Sequence, residues 1–224
     1  MRVVIGPGVG GPADLDAVYA APRDPWLRVN MVSTVDGAAT GGSGRSGSIN
    51  NAADHVVFAH LRASSDAILV GAGTARAEGY RPAEVPLVVV SRRGDVPDRL
   101  RGAPPGSVLL ATCAAAEGVD EARDLLGADH VLVLGSHRVD LAGLRQSLVD
   151  RGWTRLLAEG GPHLLRDLVA AGVADELCTT TVPRLIAGEH PRITDGPPVD
   201  VPLRLATLVE EDGTLLARWL VDPP

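Results

Sequence analysis

Lysine is missing altogether: the 224 residues carry 21 basic side chains, and every one is arginine. That excludes Schiff-base catalysis and the phosphate-binding loop built around a lysine. Basic excess is also missing, because 28 acidic residues leave a net charge of −7. A general nucleic-acid surface, which needs such an excess, is therefore not expected. Aromatic residues are scarce, at three Trp, two Tyr and one Phe, so Leu, Val and Ala must fill the core. Cysteine is limited to Cys113 and Cys178, with no C-x-x-C pair and no disulfide framework, as expected for a reducing, cytoplasmic compartment. No apolar run approaches the roughly 20 residues that span a bilayer, and "MRVVIGPGVGGPADLD" has no signal-peptide pattern, so no membrane association is expected. The six histidines are scattered, and His55 and His60 lie five apart, off the helical spacing of metal ligands, so no metal site is expected.

What the chain does contain is alternation. Short apolar runs at 27–34, 66–71, 85–91, 107–112, 130–135, 154–159 and 174–185 read as strands. Helical patterns lie between several of them: 52–64, capped by Asn51, then 117–128 and 139–152. This order predicts an α/β fold, a mostly parallel central sheet with helices on both faces. The tail, "LRLATLVEEDGTLLARWLV", has two strand-like runs around Asp212-Gly213 and predicts a C-terminal antiparallel hairpin that finishes the sheet. We expect a single domain over 1–224, with 1–26 as an N-terminal extension packed on it.

Two strand ends carry glycine. Gly71 and Gly73, followed by Thr74, close one strand; Glu159, Gly160 and Gly161 close another, with Pro162 at the first helical position. In a parallel sheet, ligands collect outside the carboxyl ends of the strands. Turns without Cβ atoms let backbone N–H groups approach an anion, and a helix N-terminus adds unpaired donors. Two such turns fit a pyrophosphate, although tight geometry alone also explains glycine at a bend.

Four separated motifs, "VNMVSTVDGAAT", "HLRASSDAILVGAGTARAEGYRP", "LLAEGGPHLLRDLVAAGVADEL" and "TVPRLIAG", give the chain a family likeness over about residues 27–220. It resembles the pyrimidine reductase domain of bacterial riboflavin biosynthesis, which has a dihydrofolate-reductase-like fold. The resemblance implies NADPH, a homodimer, and reduction of 5-amino-6-ribosylaminouracil phosphate to its ribitylamino form. By position it implies cofactor contacts for Ser48, Thr74 and Glu78, the last standing where the family usually has Asp. It assigns the segment from Gly161 through Asp167, with Pro162, His163 and Leu164, to the cofactor pyrophosphate, in accord with the turn argument for Gly71, Gly73 and Gly160. Ser91 falls at the adenosine end, with Arg92 and Arg93 suited to a 2′-phosphate. Ser46, Arg62 and Glu159 match substrate positions, and Asp36 in the D-G pair lines the nicotinamide pocket. The chain departs from the family where Ser48 replaces a common tryptophan and where "AEVPL" replaces a loop arginine; Arg81 is the available substitute. The zinc-deaminase ligands that many relatives carry do not occur in this sequence, so no deamination is expected.

Asp54, in the first turn of its helix, resembles the single acid of dihydrofolate reductases. It reads equally as a proton-delivering acid or as a charge placed to suit the helix dipole. Asp54 and Glu159 are accordingly the two candidate catalytic acids. The leading function is the pyrimidine reductase; a pterin or dihydrofolate reductase and a non-catalytic nucleotide-binding relative are the alternatives.

Overall fold

A computed structural model describes residues 1–222. Ten strands form one sheet: β1 (Arg2–Ile5), β2 (Trp26–Thr34), β3 (Ala67–Gly71), β4 (Leu87–Val90), β5 (Val108–Thr112), β6 (Val131–Val133), β7 (Arg155–Ala158), β8 (Glu176–Val182), β9 (Leu203–Glu211) and β10 (Thr214–Val221). Their order is β1-β9-β10-β8-β2-β7-β3-β4-β5-β6. Strands β8, β2, β7, β3, β4, β5 and β6 are mutually parallel, and β10, β9 and β1 continue the sheet antiparallel. Six helices accompany them: α1 (Leu15–Val18), α2 (Ala52–Ala63), α3 (Ala72–Glu78), α4 (Val119–Leu126), α5 (Leu141–Asp150) and α6 (Pro162–Ala170). Among the described residues, no helix is long and apolar enough to cross a membrane.

The continuous apolar runs follow from burial of the central strands on both faces. Along β3, Ile68 and Val70 point to one core with Val57 and Leu61 of α2. Ala67 and Leu69 point to the other, with Leu144 and Leu148 of α5 and Leu165 and Leu168 of α6. Asn51 caps α2 as expected, its side chain accepting from the Asp54 N–H at 3.1 Å.

Two expectations need correction. Residues 1–26 do more than pack on the domain, because β1 joins the sheet through Val3 opposite Val209. The hairpin therefore does not end the sheet: β1 covers β9 and forms the edge itself. A four-residue strand with one buried position, Val3, followed by a glycine-rich turn is too short for periodicity to reveal.

A buried charge cluster joins β2, β8, β10 and the segment after α1. Glu176, fully buried, accepts from Trp26 Nε1 (2.8 Å), Arg28 Nε (2.8 Å), Arg218 Nε (2.9 Å) and Arg218 Nη2 (2.8 Å). The outer nitrogens of the two arginines donate to the carbonyls of Tyr19 (2.6 Å) and Ala20 (3.1 Å). Two cations thus share one carboxylate and the open carbonyls at the end of α1.

Candidate active site

The carboxyl ends of β2, β3 and β7 enclose a cleft of about 300 Å³. Helix α2 supplies its floor with a stripe at i, i+4 and i+8, namely Asp54, Phe58 and Arg62. At the inner end, Arg62 grips Glu159 with two parallel bonds, Nε to Oε1 and Nη2 to Oε2, both 2.6 Å. Tyr80 donates its hydroxyl to Glu159 Oε2 at 2.5 Å. The guanidinium also lies over the rings of Phe58 (4.4 Å) and Tyr80 (5.5 Å). Burial opposes the Arg62 charge, but the bonds to Glu159 and its charge outweigh this and raise the guanidinium pKa further. Burial, reinforced by the neighbouring Glu159, pushes the Tyr80 phenol well above its ordinary range, so it stays a neutral donor.

Asp54 lies at the other end of the stripe, 2% exposed. Burial raises its pKa, while hydrogen bonds from Thr180 and Asn50 and the nearby His55 work the other way. Among the described residues, Asp54 Oδ1 and Asn50 Oδ1 are both buried and meet no donor.

The two glycine turns meet. Gly71 N–H donates to Gly160 O at 2.8 Å, and Gly160–Gly161 is a cis peptide. Gly160 has φ +76°, and a Cβ there would press on Met31 Sδ. At Gly161 a Cβ would collide with the Thr74 hydroxyl, which lines the cleft. No side chain caps the N-terminus of α6, which Gly161 and Pro162 open. A backbone surface cleared of side chains next to free helix N–H groups fits a pyrophosphate-bearing cofactor.

Of the sequence candidates, Ser46, Asp54, Arg62, Thr74, Glu78, Glu159, Gly161 and Pro162 all line the cleft. Glu78 Oε1 accepts from the Ser46 N–H at 2.8 Å, tying the Gly/Ser loop to α3. Gly71, Gly160 and Leu164 stand immediately behind this wall. Gly73 is exposed in the first turn of α3, and His163 is exposed with its ring against Asp195 O (2.9 Å). Ser91, Arg92 and Arg93 follow β4, beyond β3 from the glycine turn; Ser91 is buried and both arginines are exposed. Arg81 is exposed and lies outside the cleft lining.

Two candidates are placed elsewhere. Asp36, expected to line the nicotinamide pocket, lies outside the lining: it bonds Thr34 Oγ1 (2.5 Å) and the N–H groups of Ile186 (3.2 Å) and Ala187 (2.8 Å). Its carboxylate anchors the 184–188 turn instead. The Ser48 hydroxyl is likewise committed to its own loop, donating to Arg45 O (2.7 Å) and accepting from Gly41 N–H (3.0 Å). Sequence reasoning missed Asn50, Phe58 and Tyr80. Phe58 was available from the i+4 rule between Asp54 and Arg62; the other two depend on how loops fold back.

Known proteins resemble the chain in sequence and in fold. The model of the RibD C-terminal domain family matches residues 25–215. The chain is 30% identical over 190 residues to the 2,5-diamino-6-ribosylamino-4(3H)-pyrimidinone 5′-phosphate reductase of Archaeoglobus fulgidus, covering 77% of this chain and 87% of that protein. It is 31% identical over 193 residues to the like-named reductase of Methanothermobacter thermautotrophicus, covering 79% and 86%. A pyrimidine reductase-like protein from Corynebacterium diphtheriae shares the fold, with a TM-score of 0.81 at 24% identity over 94% of this chain and 99% of that one.

Proposed function

The chain belongs to the RibD C-terminal domain family of riboflavin-pathway reductases, and from this premise we propose that it reduces a ribosylaminopyrimidine 5′-phosphate to the ribitylamino compound with NADPH. The meeting of the two glycine turns beside the Arg62–Glu159–Tyr80 cluster is the main support. The cofactor supplies the hydride when bound. Gly160 and Gly161 keep side chains out of its path, and the open N–H groups of α6 hold its pyrophosphate. Glu159 fixes Arg62 and Tyr80 in the cleft lining, where the guanidinium is at hand to bind an anionic or carbonyl group of the substrate. Arg92 and Arg93, exposed and free of ion pairs among the described residues, take the 2′-phosphate. We further propose a cytoplasmic homodimer.

Charge-assisted bonds are worth roughly 1.5–3 kcal/mol each. Replacing Arg92 and Arg93 together by alanine should therefore lower the NADPH/NADH preference in kcat/KM by about tenfold or more. An unchanged ratio in the double variant removes both arginines from the cofactor site.

One observation favours a second reading. Asp54 is a buried acid with a raised pKa in the same cleft, as reduction of a dihydropterin requires of a proton donor. If that is the reaction, Asp54→Asn should lower turnover by roughly 10²–10⁴, with the deficit shrinking at low pH. Turnover of a dihydropteridine with no turnover of either pyrimidine would establish it.

A further inference from the structure

A second cavity, of about 280 Å³, lies toward the amino ends of β2 and β7, away from the cleft. Ligands of parallel sheets gather at the carboxyl ends of the strands, so the cofactor and substrate of the cleft do not account for it. Its inner wall is the buried charge cluster, reached through Arg28 and Tyr19. Arg28 and Arg218 share the one carboxylate of Glu176, which leaves a positive charge without a counter-charge. The neighbouring buried acid, Asp175, is already taken up by Arg23 (2.9 Å) and Arg145 (2.6 Å). Burial raises the Tyr19 phenol and the Cys178 thiol, so neither supplies an anion. Of the six guanidinium nitrogens in the cluster, five donate to Glu176 or to the carbonyls of Val18, Tyr19 and Ala20. Arg28 Nη1 is the sixth: it has no partner among the described residues, and it is not one of the polar atoms sealed from solvent. Arg28 is only 7% exposed and lines this cavity, so the cavity is where that nitrogen opens.

We propose that this cavity is a second ligand site, which binds a small organic oxyanion, a carboxylate or phosphate monoester on a compact apolar body, with its charged oxygens on Arg28 Nη1. An oxyanion there gives the cluster its missing counter-charge through a charge-assisted bond, whereas a neutral ligand leaves the buried charge unpaired and a cation adds to it. Two further basic side chains stand in the lining. His60 comes from α2, and Arg155 is exposed with its nearest acid, Asp24, at 3.8 Å. Asp16 is the one carboxylate of the lining, and its side chain is 95% exposed at 4.0 Å from His60 Nε2, so it faces solvent more than the cavity. The Tyr19 ring, Trp26 and Ala21 supply apolar walls, which is why a bare inorganic ion fills the site poorly.

The test uses the whole purified protein saturated with NADP⁺, at an ionic strength held constant with sodium chloride. Benzoate, phenyl phosphate and inorganic phosphate are the probes, and benzyl alcohol is the neutral control. Calorimetry should show benzoate or phenyl phosphate binding at one site at least ~10-fold more tightly than benzyl alcohol, with inorganic phosphate weaker than phenyl phosphate. The tighter of the two organic anions identifies the head group, and it should raise the unfolding temperature as its concentration rises. Ala21→Leu fills the cavity without touching the cluster, and Arg28→Met leaves Arg218 and Glu176 as a balanced pair. Each should weaken anion binding at least ~10-fold. Arg28→Met should also lower the unfolding temperature less than Glu176→Gln, since it removes the unpaired charge where the other change leaves two. Organic anions that bind no better than benzyl alcohol overturn the proposal. Undiminished binding in Ala21→Leu overturns it as well, by placing the anion outside this cavity, and that result stands whether or not Arg28→Met folds.

Discussion

Replacing Glu159 by glutamine removes one negative charge from a place where a guanidinium is held by two bonds of 2.6 Å and a phenol by one of 2.5 Å. The glutamine keeps the shape but can accept at only one oxygen, so Arg62 loses half of its grip and its buried charge loses its partner. We expect kcat/KM to fall by ~10²-fold or more, with unfolding temperature lowered by a few degrees. Tyr80→Phe should cost less, and the double variant should fall short of the sum of the two losses, because both changes disturb one cluster. Wild-type kinetics in Glu159→Gln would show that Arg62 needs no anchor. At this scale the sequence was legible where chemistry sits on a regular element. Asp54 is marked by its place in the first turn of a helix, whereas Arg62 and Glu159 are marked by the family resemblance, Glu159 also standing just before the paired glycines. Tyr80 was hidden because it depends on Gly79, whose φ of +75° ends α3 and turns the chain back over the cleft. Asp36 misled because a D-G pair at a strand end has two uses, lining a pocket or anchoring a neighbouring turn, and only the folded 184–188 segment distinguishes them.

Strands β2, β8 and β10 share one carboxylate. Desolvation pushes the Glu176 pKa up, yet hydrogen bonds and charge from Arg218 and Arg28 outweigh it and bring the group from 4.5 to about 2. A carboxylate depressed in the folded state stabilises the protein fully above its unfolded pKa and ceases to do so as pH falls through the folded value. The Glu176 contribution, about 3 kcal/mol at 1.36 kcal/mol per unit, is therefore present above pH 4.5 and fades from there toward pH 2. Denaturant midpoints of the wild type should drop across that window. In Glu176→Gln that part of the slope should vanish, from a lower plateau, since two buried arginines then lack their counter-charge. An identical pH slope in the variant would place the acid sensitivity elsewhere. The cluster left no local signal: Arg28 and Arg218 occupy strand positions where periodicity asks only for burial, and their common partner lies 148 and 42 residues away. The parallel strands, by contrast, were readable because burial on both faces writes itself as unbroken apolar runs. Helix α3 was seen only as a turn, its seven residues dominated by Ala and Gly.

The molecule as a whole leaves one face of its antiparallel end uncovered. Along β9 and β10, Val209 and Leu216 point to the core together with Val3. Leu208 and Leu215 alternate with them and point to the opposite side, as does Ile5 of β1, which pairs with Leu208. Helices α5 and α6 cover that side only as far as Leu177 and Trp219. Leu215 and Ile5 are each 42% exposed. An open hairpin edge is not available for dimerisation, since β1 occupies that edge. The two actual edges, β1 and β6, are four and three residues long and too short to template another strand well. Association is therefore expected through the face, where an apolar patch rimmed by Arg2 and Glu210 is available. Light scattering at micromolar concentration should give twice the 23.2 kDa of one chain. Leu215→Arg, which places a charge in the middle of the patch while leaving the core side of β10 intact, should shift the mass toward the monomer. Its circular dichroism should stay that of the wild type. A monomeric wild type would end the dimer proposal. A dimeric Leu215→Arg variant would keep the dimer and move its interface away from the antiparallel strands.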